Sequence, residues 1–520
     1  MPRSAPSRPV EPVLTALLGR DRVLSTPDAL LAWECDGFTV HKSRPRAVVL
    51  PESTEEVQAV VKALHAAEVP FVPRGAGTCL SGGPTAGGDA VVVDCSRMRQ
   101  VLHVSTVDRY AVVQPGVVNL ELTASVAAHG LHYAPDPSSQ SVCTIGGNLA
   151  ENSGGPHCFK YGMTQDHVLG ALVVLPDGEL ARLGGQAASR APHGLDVAAL
   201  FCGSEGTFGI ATEITVRLSR DPERVCTLLA SFASMSAACR AVGDVIAAGL
   251  VPAALEILDQ ATIRAVEASV YRAGYPEHAA AVLLVELDGP ADVVAEEAVE
   301  VEAIFAAHAA LQVERATDAA ERKRLWKGRK GAFGAMGRIN TDLYVLDGVV
   351  PRTRLEEALL GITAIGERHG VLITNVFHAG DGNLHPNISF DGRDADQTRR
   401  TVAAGREILQ LCMALGGSIT GSVDRPFGQR RRGTQSRQLS TPPRAHDVRR
   451  RRPRRHGARA PRLRPARAVQ PGQGAARALC LRGGREVAAD GREGARRAAV
   501  TAAARGRRDP RRGRGRGSLP

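Results

Sequence analysis

The sequence predicts two successive α+β domains followed by a basic region with no fold of its own. Three changes of texture along the chain point there. From Ala47 short β-rich runs alternate with helical stretches and are broken by Gly and Pro. Beyond Pro222 long Ala-rich helical patterns interleave with apolar strands. Residues 422–520 contain no Ile, Lys, Asn, Tyr, Trp or Met and one Phe, too little apolar surface to offset the entropy of ordering. The chain of 520 residues has room for two or three domains and a sizeable core.

Residues 1–45 read as a helical lead-in, with one helix over 28–33. In the first domain, 46–220, a strand is expected at 47–50 and a helix at 53–67, opened by the capping-box pattern Ser53-x-x-Glu56. Strands follow at 69–72, 90–93, 110–114, 170–175 and 210–218. In the second domain, 221–421, helices are expected at 234–249, 259–272 and 289–312, and strands at 281–287, 343–350 and 371–377.

The charge of the chain is unevenly placed. It carries 65 basic and 54 acidic side chains, a formal +11. Residues 422–520 hold 29 Arg and 6 acidic groups, which leaves 36 basic against 48 acidic in residues 1–421. The body is therefore acidic, and nucleic-acid binding is not expected of it. Ten Cys without a Cys-x-x-Cys spacing argue against a zinc ribbon or an iron–sulfur cluster held by this chain alone. Free thiols suit a reducing cytosol. The N-terminus lacks the apolar segment of a signal peptide, and no run of about 18 apolar residues suggests a membrane span.

Three glycine-rich stretches carry the first chemistry. Pro73-Arg-Gly-Ala-Gly-Thr-Cys-Leu-Ser-Gly-Gly83 follows an apolar strand, and glycines at that density let consecutive N–H groups turn inward around anionic oxygens. It lacks the Gly-Lys-Ser/Thr of a P-loop. Pro135-Asp-Pro-Ser-Ser-Gln-Ser-Val-Cys-Thr-Ile-Gly-Gly-Asn-Leu-Ala-Glu-Asn-Ser-Gly-Gly155 and Gly203-Ser-Glu-Gly-Thr-Phe-Gly-Ile-Ala-Thr212 are similar in character. Three such turns suit one large extended cofactor, whose identity spacing alone does not give. Further on, His378 and His385 flank a Gly-rich turn, a spacing that lets two imidazoles converge on one divalent cation. Leu325-Trp-Lys-Gly-Arg329 offers an Arg able to clamp a carboxylate, or else a solvated helix face.

Together these stretches resemble the vanillyl-alcohol-oxidase-like FAD-linked oxidases, and within them the FAD-binding subunit of glycolate oxidase and the D-lactate and D-2-hydroxyglutarate dehydrogenases. The run Thr144-Ile-Gly-Gly-Asn-Leu-Ala-Glu-Asn-Ser-Gly-Gly-Pro-His-Cys-Phe-Lys-Tyr-Gly162 carries the resemblance most closely, and it covers roughly residues 10–421. The resemblance implies a two-subdomain FAD-binding domain of the PCMH type followed by an FAD-linked oxidase cap domain. It implies non-covalent FAD, with Arg74, Gly75, Gly77, Thr78, Ser81 and Gly82 at the diphosphate. Pro135, Thr144, Gly147, Asn148, Ser153, Gly154 and Ile210 would lie along the flavin, ribityl and adenosine portions. It implies a divalent metal such as zinc, manganese or iron on His378 and His385, with Arg329 on the substrate carboxylate and Asn387 touching substrate. Phe333 stands where the 2-hydroxyglutarate enzyme has a hydroxyl residue, which favours a smaller acid, lactate or glycolate. Hydride would leave the substrate Cα for flavin N5, and the electrons would pass to an iron–sulfur partner subunit, a quinone or a cytochrome. The location implied is cytoplasmic, or peripheral to the membrane through such a partner.

The family follows Gly-Gly-Ser-Ile-Thr-Gly with Glu-His-Gly, the third metal ligand and the proposed base. Here Gly416-Gly-Ser-Ile-Thr-Gly421 is followed by Ser422-Val423-Asp424. The composition beyond that point is that of a GC-rich gene read out of frame. Gln470-Pro-Gly-Gln-Gly474 can be encoded CAA CCC GGG CAA GGT, which one base later reads Asn-Pro-Gly-Lys, the close of this family's C-terminal domain. Three functions are therefore set against one another: an active 2-hydroxy-acid dehydrogenase, a flavin-binding remnant with an impaired metal and base site, and a basic-tailed protein that binds nucleic acid or lipid.

Overall fold

The computed structural model describes residues 9–185 and 195–419. The Arg-rich region 422–520, its reading frame and the Ser422–Asp424 substitution lie outside the described residues.

The first half is built on two small sheets. In the first, the strands Ala47–Val49 and Phe71–Arg74 both run parallel to Val91–Asp94 between them, while Val23–Leu24 adds antiparallel to Ala47–Val49. The helix Thr54–Ala66 makes the crossover and buries Val57, Val60, Val61 and Leu64 on Val49, Val91 and Val93. Its start is only half the predicted capping box. Ser53 Oγ accepts the Glu56 N–H, but the Glu56 carboxylate accepts the Glu52 N–H and pairs with Arg22. Residues 28–33 do not form the expected helix. A segment this short cannot recover its nucleation cost, and only a 3-10 turn, Leu31–Trp33, is present. Trp33 is pinned instead by its indole N–H to Asp94 Oδ2 at 2.6 Å.

The second sheet is antiparallel, in the order Val101–Ser105, Tyr110–Val113, Ile210–Arg217, Val168–Val174, Leu180–Gly184. The expected strands at 110, 170 and 210 are here. The two outer strands were not expected, because each is a short stretch with exposed, charge-bearing surroundings.

The second half is one large antiparallel sheet around Arg224–Phe232, Ala281–Gly289, Ala254–Asp259 and Leu372–His378. The near-continuous apolar runs of these strands reflect burial on both faces. One face packs against the helices Met235–Ala247, Ala291–Ala307, Leu355–His369 and Ala395–Ala414. The other packs against Gln260–Glu267 and Ala319–Met336. The helix expected over 259–272 stops at Glu267, whose carboxylate accepts the N–H groups of Ala273, Gly274 and Tyr275 and so turns the chain. The strand expected at 343–350 is two. Asp342–Val345 pairs with Pro386–Phe390, and Gly348–Val349 pairs with Asn383–Leu384.

Each core strand carries buried polar side chains on the second face. Val282 and Leu284 face the helix Ala319–Met336, and by the two-residue period so does Glu286. Glu256 and His378 share that face and are direct cross-strand partners. No described helix is long and apolar enough to cross a membrane.

Candidate active site

A cavity of about 850 Å³ runs from the glycine-rich loops of the first half to the polar face of the large sheet, at the upper end of the range for cofactor sites. All three glycine-rich stretches contribute to its wall, brought together by close backbone approaches. A Cβ on Gly75 would lie 2.6 Å from Thr144 Oγ1, joining the first loop to the second. A Cβ on Gly206 would lie 2.2 Å from Pro73, joining the third to the first.

Among the predicted residues, Arg74, Gly75, Gly77, Thr78, Ser81, Thr144, Gly147, Asn148, Ser153, Gly154 and Ile210 line this cavity, with His378 and His385 at its far end. Arg74 ends its strand and donates to the Cys35 carbonyl at 3.0 Å. Its Nη1 is buried without a partner, as is Asn148 Nδ2. Burial lowers the Arg74 pKa against the opposing pull of Asp94 and Asp36. Thr144 caps the helix Ile145–Glu151, its hydroxyl accepting the Gly147 N–H at 3.2 Å.

Four predicted residues stand off the cavity wall, each for a visible reason. The Gly82 N–H is taken by Asp36 Oδ2 at 2.8 Å, and Gly83 lines the cavity instead. The Pro135 carbonyl accepts from Asn119 Nδ2 at 2.9 Å, behind Pro137. Asn387 is fully buried and donates to the His385 carbonyl at 2.7 Å. Arg329 is 1% exposed, and its Nε donates to Glu256 Oε2 at 2.6 Å. The next residue, Lys330, reaches the cavity in its place.

Glu256 also holds His378 Nδ1, at 2.6 Å, so one buried carboxylate orients both the guanidinium and the imidazole. Burial works against protonation of His378, but the Glu256 charge and hydrogen bond outweigh it and hold the ring above the usual histidine range. His385 sits 5.0 Å away, edge-on, and burial with the neighbouring His378 and Arg329 charges holds it well below that range. These two rings are two donors only. Among the described residues no group of three or more His, Cys, Asp or Glu could hold a metal ion. The residues described thus do not by themselves fit the expected zinc, manganese or iron, since two imidazoles leave such a cation under-coordinated.

A second buried network ties the halves together. His157, in the second glycine-rich stretch, bridges Asp136 Oδ2 at 2.8 Å and Glu286 Oε1 at 3.0 Å. Glu286 further accepts from Thr227, Arg322 and the Trp326 indole. Lys160 and Tyr161 both bond Asp288 on the same strand. Burial opposes the His157 charge, but Asp136 and Glu286 overcome it and raise its pKa to about 10. Because the folded value lies above the unfolded value near 6.5, this ion contributes its full stability below that pH and loses it as pH climbs through 10. Stability against thermal unfolding is expected to fall by on the order of 5 kcal/mol across that window. His157→Gln should flatten the dependence, and an unchanged slope in that variant would contradict the assignment.

Sequence reasoning missed Glu256 and Glu286. Each is a carboxylate flanked on both sides by apolar residues within its strand, in Ala-Leu-Glu-Ile-Leu-Asp259 and Val-Glu-Leu-Asp288, a pattern that marks a buried, partnered charge. Glu151 was quoted but given no role. It lines the cavity, and burial with the nearby Glu205 pushes its carboxyl up to about 7.

One mixed and one antiparallel sheet bearing glycine-rich loops, opposed by a large antiparallel sheet closing one shared cavity, define an FAD-linked oxidoreductase of the vanillyl-alcohol-oxidase fold class. Residues 45–184 match the FAD binding domain family, and residues 221–422 match the C-terminal domain of FAD linked oxidases. The chain is 46% identical over 399 residues to glycolate oxidase subunit GlcD of Escherichia coli K12, covering 77% of this chain and 79% of that one. It is 31% identical over 387 residues to a D-lactate dehydrogenase of Anaerostipes hadrus, covering 73% and 81%. p-Cresol methylhydroxylase shares the fold, with a TM-score of 0.69 at 16% identity over 79% of this chain and 88% of that one. The chain belongs to the FAD-linked oxidase family that includes the glycolate oxidase subunit GlcD, and its cofactor is FAD. The donor set fits that cofactor. A buried guanidinium N–H and a buried amide N–H without partners face a cavity walled by glycines.

Proposed function

We propose that the chain oxidises a small 2-hydroxy acid, D-lactate or glycolate, to the 2-oxo acid and passes the electrons to a partner subunit, a quinone or a cytochrome. The observation that carries this reading is the continuity of one cavity from Arg74 and the glycine-rich loops to Phe333, Lys330, His378 and His385. FAD supplies the acceptor for the hydride. Arg74, with the backbone of Gly75, Gly77, Thr78 and Ser81, holds its diphosphate; Thr144, Gly147, Asn148, Ser153, Gly154 and Ile210 line the remainder. The thiols along the cavity do not tether it. Burial pushes Cys79, Cys95 and Cys158 up to about 12 and Cys143 to about 11, so all four stay protonated at neutral pH.

At the substrate end Lys330 meets the carboxylate as a point charge. Arg329 acts one step removed, fixing Glu256 and through it the His378 ring. His385, neutral in its buried setting, accepts a hydrogen bond from the substrate hydroxyl. Phe333, edge-on to His385 at 6.3 Å between ring centroids, shortens the pocket and disfavours a dicarboxylate. That only two imidazoles converge there among the described residues favours a second reading, a protein that binds FAD but turns over poorly.

Anaerobic mixing of the FAD-loaded chain with glycolate, D-lactate or D-2-hydroxyglutarate separates the two. Bleaching of the flavin by one of the first two, and weakly by the third, is expected. A flavin that none of them bleaches overturns the dehydrogenase reading in favour of the second.

A further inference from the structure

A second cavity, of about 520 Å³, opens beside the first and shares Lys330 with it. Its wall is His157, Ala319, Arg322, Lys323, Trp326, Lys327 and Lys330, with no acidic residue among them. The spacing of Lys323, Lys327 and Lys330 sets three ammonium groups on one face of the helix Ala319–Met336. Lys323 and Lys327 are exposed and form no ion pair or hydrogen bond with the described residues. Lys330 sits 5.5 Å from the centroid of the Trp326 ring, which stacks on His157. The acidic side chains of the helix's first turn face elsewhere. Asp318 accepts the N–H groups of Ala320 and Glu321, and Glu321 turns back to Thr317. Glu286, which neutralises Arg322 and His157, is buried behind the wall, and Asp136, the other partner of His157, is half-buried.

This basic face stands on a body that is otherwise acidic, with 36 basic against 48 acidic side chains in residues 1–421. A net-negative body repels a carboxylate on average, and a basic face offsets that repulsion locally. A concave, low-dielectric wall of one sign concentrates counter-ions and raises their rate of entry.

We propose that this second cavity is a capture site for small organic carboxylates, from which Lys330 passes the anion into the main cavity. The inference rests on the reading that the substrate is a 2-hydroxy acid, and it adds the route by which that acid arrives. Lys323 and Lys327 touch neither the main cavity nor the buried networks, so they affect arrival and not the chemistry.

Two readouts on the FAD-loaded full chain test it. In rapid mixing, the double variant Lys323→Gln/Lys327→Gln is expected to lower the second-order rate constant of bleaching about 5-fold at low salt, with the limiting rate unchanged. That difference should vanish near 1 M salt, where screening shortens to about 3 Å. An equal second-order constant, or a fall in the limiting rate alone, overturns the proposal. The second readout is the fluorescence of Trp326, isolated by difference against Trp326→Phe, during titration with sodium glycolate, sodium phosphate or neutral ethylene glycol at fixed ionic strength. Saturation by glycolate that weakens in the Lys double variant supports the site. Saturation by phosphate alone, or by none of the three, overturns it. If no acid bleaches the flavin yet glycolate saturates Trp326, the oxidation reading fails while the capture site stands.

Discussion

Glu256→Gln is expected to destabilise the protein by about 3–5 kcal/mol, seen as a lowered denaturant midpoint. The carboxylate is inaccessible to solvent, and it is the counter-ion of a guanidinium that is 1% exposed. Gln keeps the shape and one acceptor but leaves Arg329 charged and uncompensated in the interior. It also releases His378 Nδ1, bound at 2.6 Å in the wild type. Glu256→Met/Arg329→Met removes the charge imbalance and should recover much of that loss, since apolar replacements of a buried pair are often neutral. The double variant should still bleach poorly, because nothing then fixes the His378 ring. A Glu256→Gln protein within 1 kcal/mol of wild type would contradict the network as described.

The second large effect is expected at Gly77. Its φ of +69° lies in the left-handed region, where a Cβ costs roughly 1–2 kcal/mol. That Cβ would also lie 2.2 Å from Arg74 Nη2, pushing away the guanidinium whose Nη1 is free for the cofactor. A combined loss of about 3 kcal/mol would weaken FAD retention about 100-fold in Gly77→Ala. Gly243→Ala is the matching control. Its Cβ meets nothing within 4 Å in the helix Met235–Ala247, so retention should not change. Equal retention in Gly77→Ala and wild type would remove the first loop from the cofactor site.

The glycine-rich loops were legible in the sequence because their chemistry is local: consecutive residues supply both the turn and the donors. What sets the loops against the rest of the protein was not. The quoted run through Gly162 contains His157, Lys160 and Tyr161, yet their partners Glu286 and Asp288 lie more than 120 residues away. The position of Arg329 behind the cavity wall follows from helix phase, which the sequence reading did not weigh. Leu325, Arg329, Ala332 and Met336 recur at the spacing of one buried face, which places Arg329 inward and Lys330 toward the cavity. The charged flank Glu321-Arg-Lys-Arg324 obscured that stripe. Gly82 and Pro135 stand off the wall for a smaller reason, because Asp36 and Asn119 take the groups they offer.

The account depends on three separated loops converging on one isoalloxazine cofactor. The wild-type arm of the Gly77 experiment addresses this most directly: purified full chain, incubated with FAD, freed of excess by gel filtration, then boiled. The account predicts blue-light absorbance that travels with the protein and about one FAD released per chain into the supernatant. A colourless protein that releases no flavin after this reconstitution would contradict it.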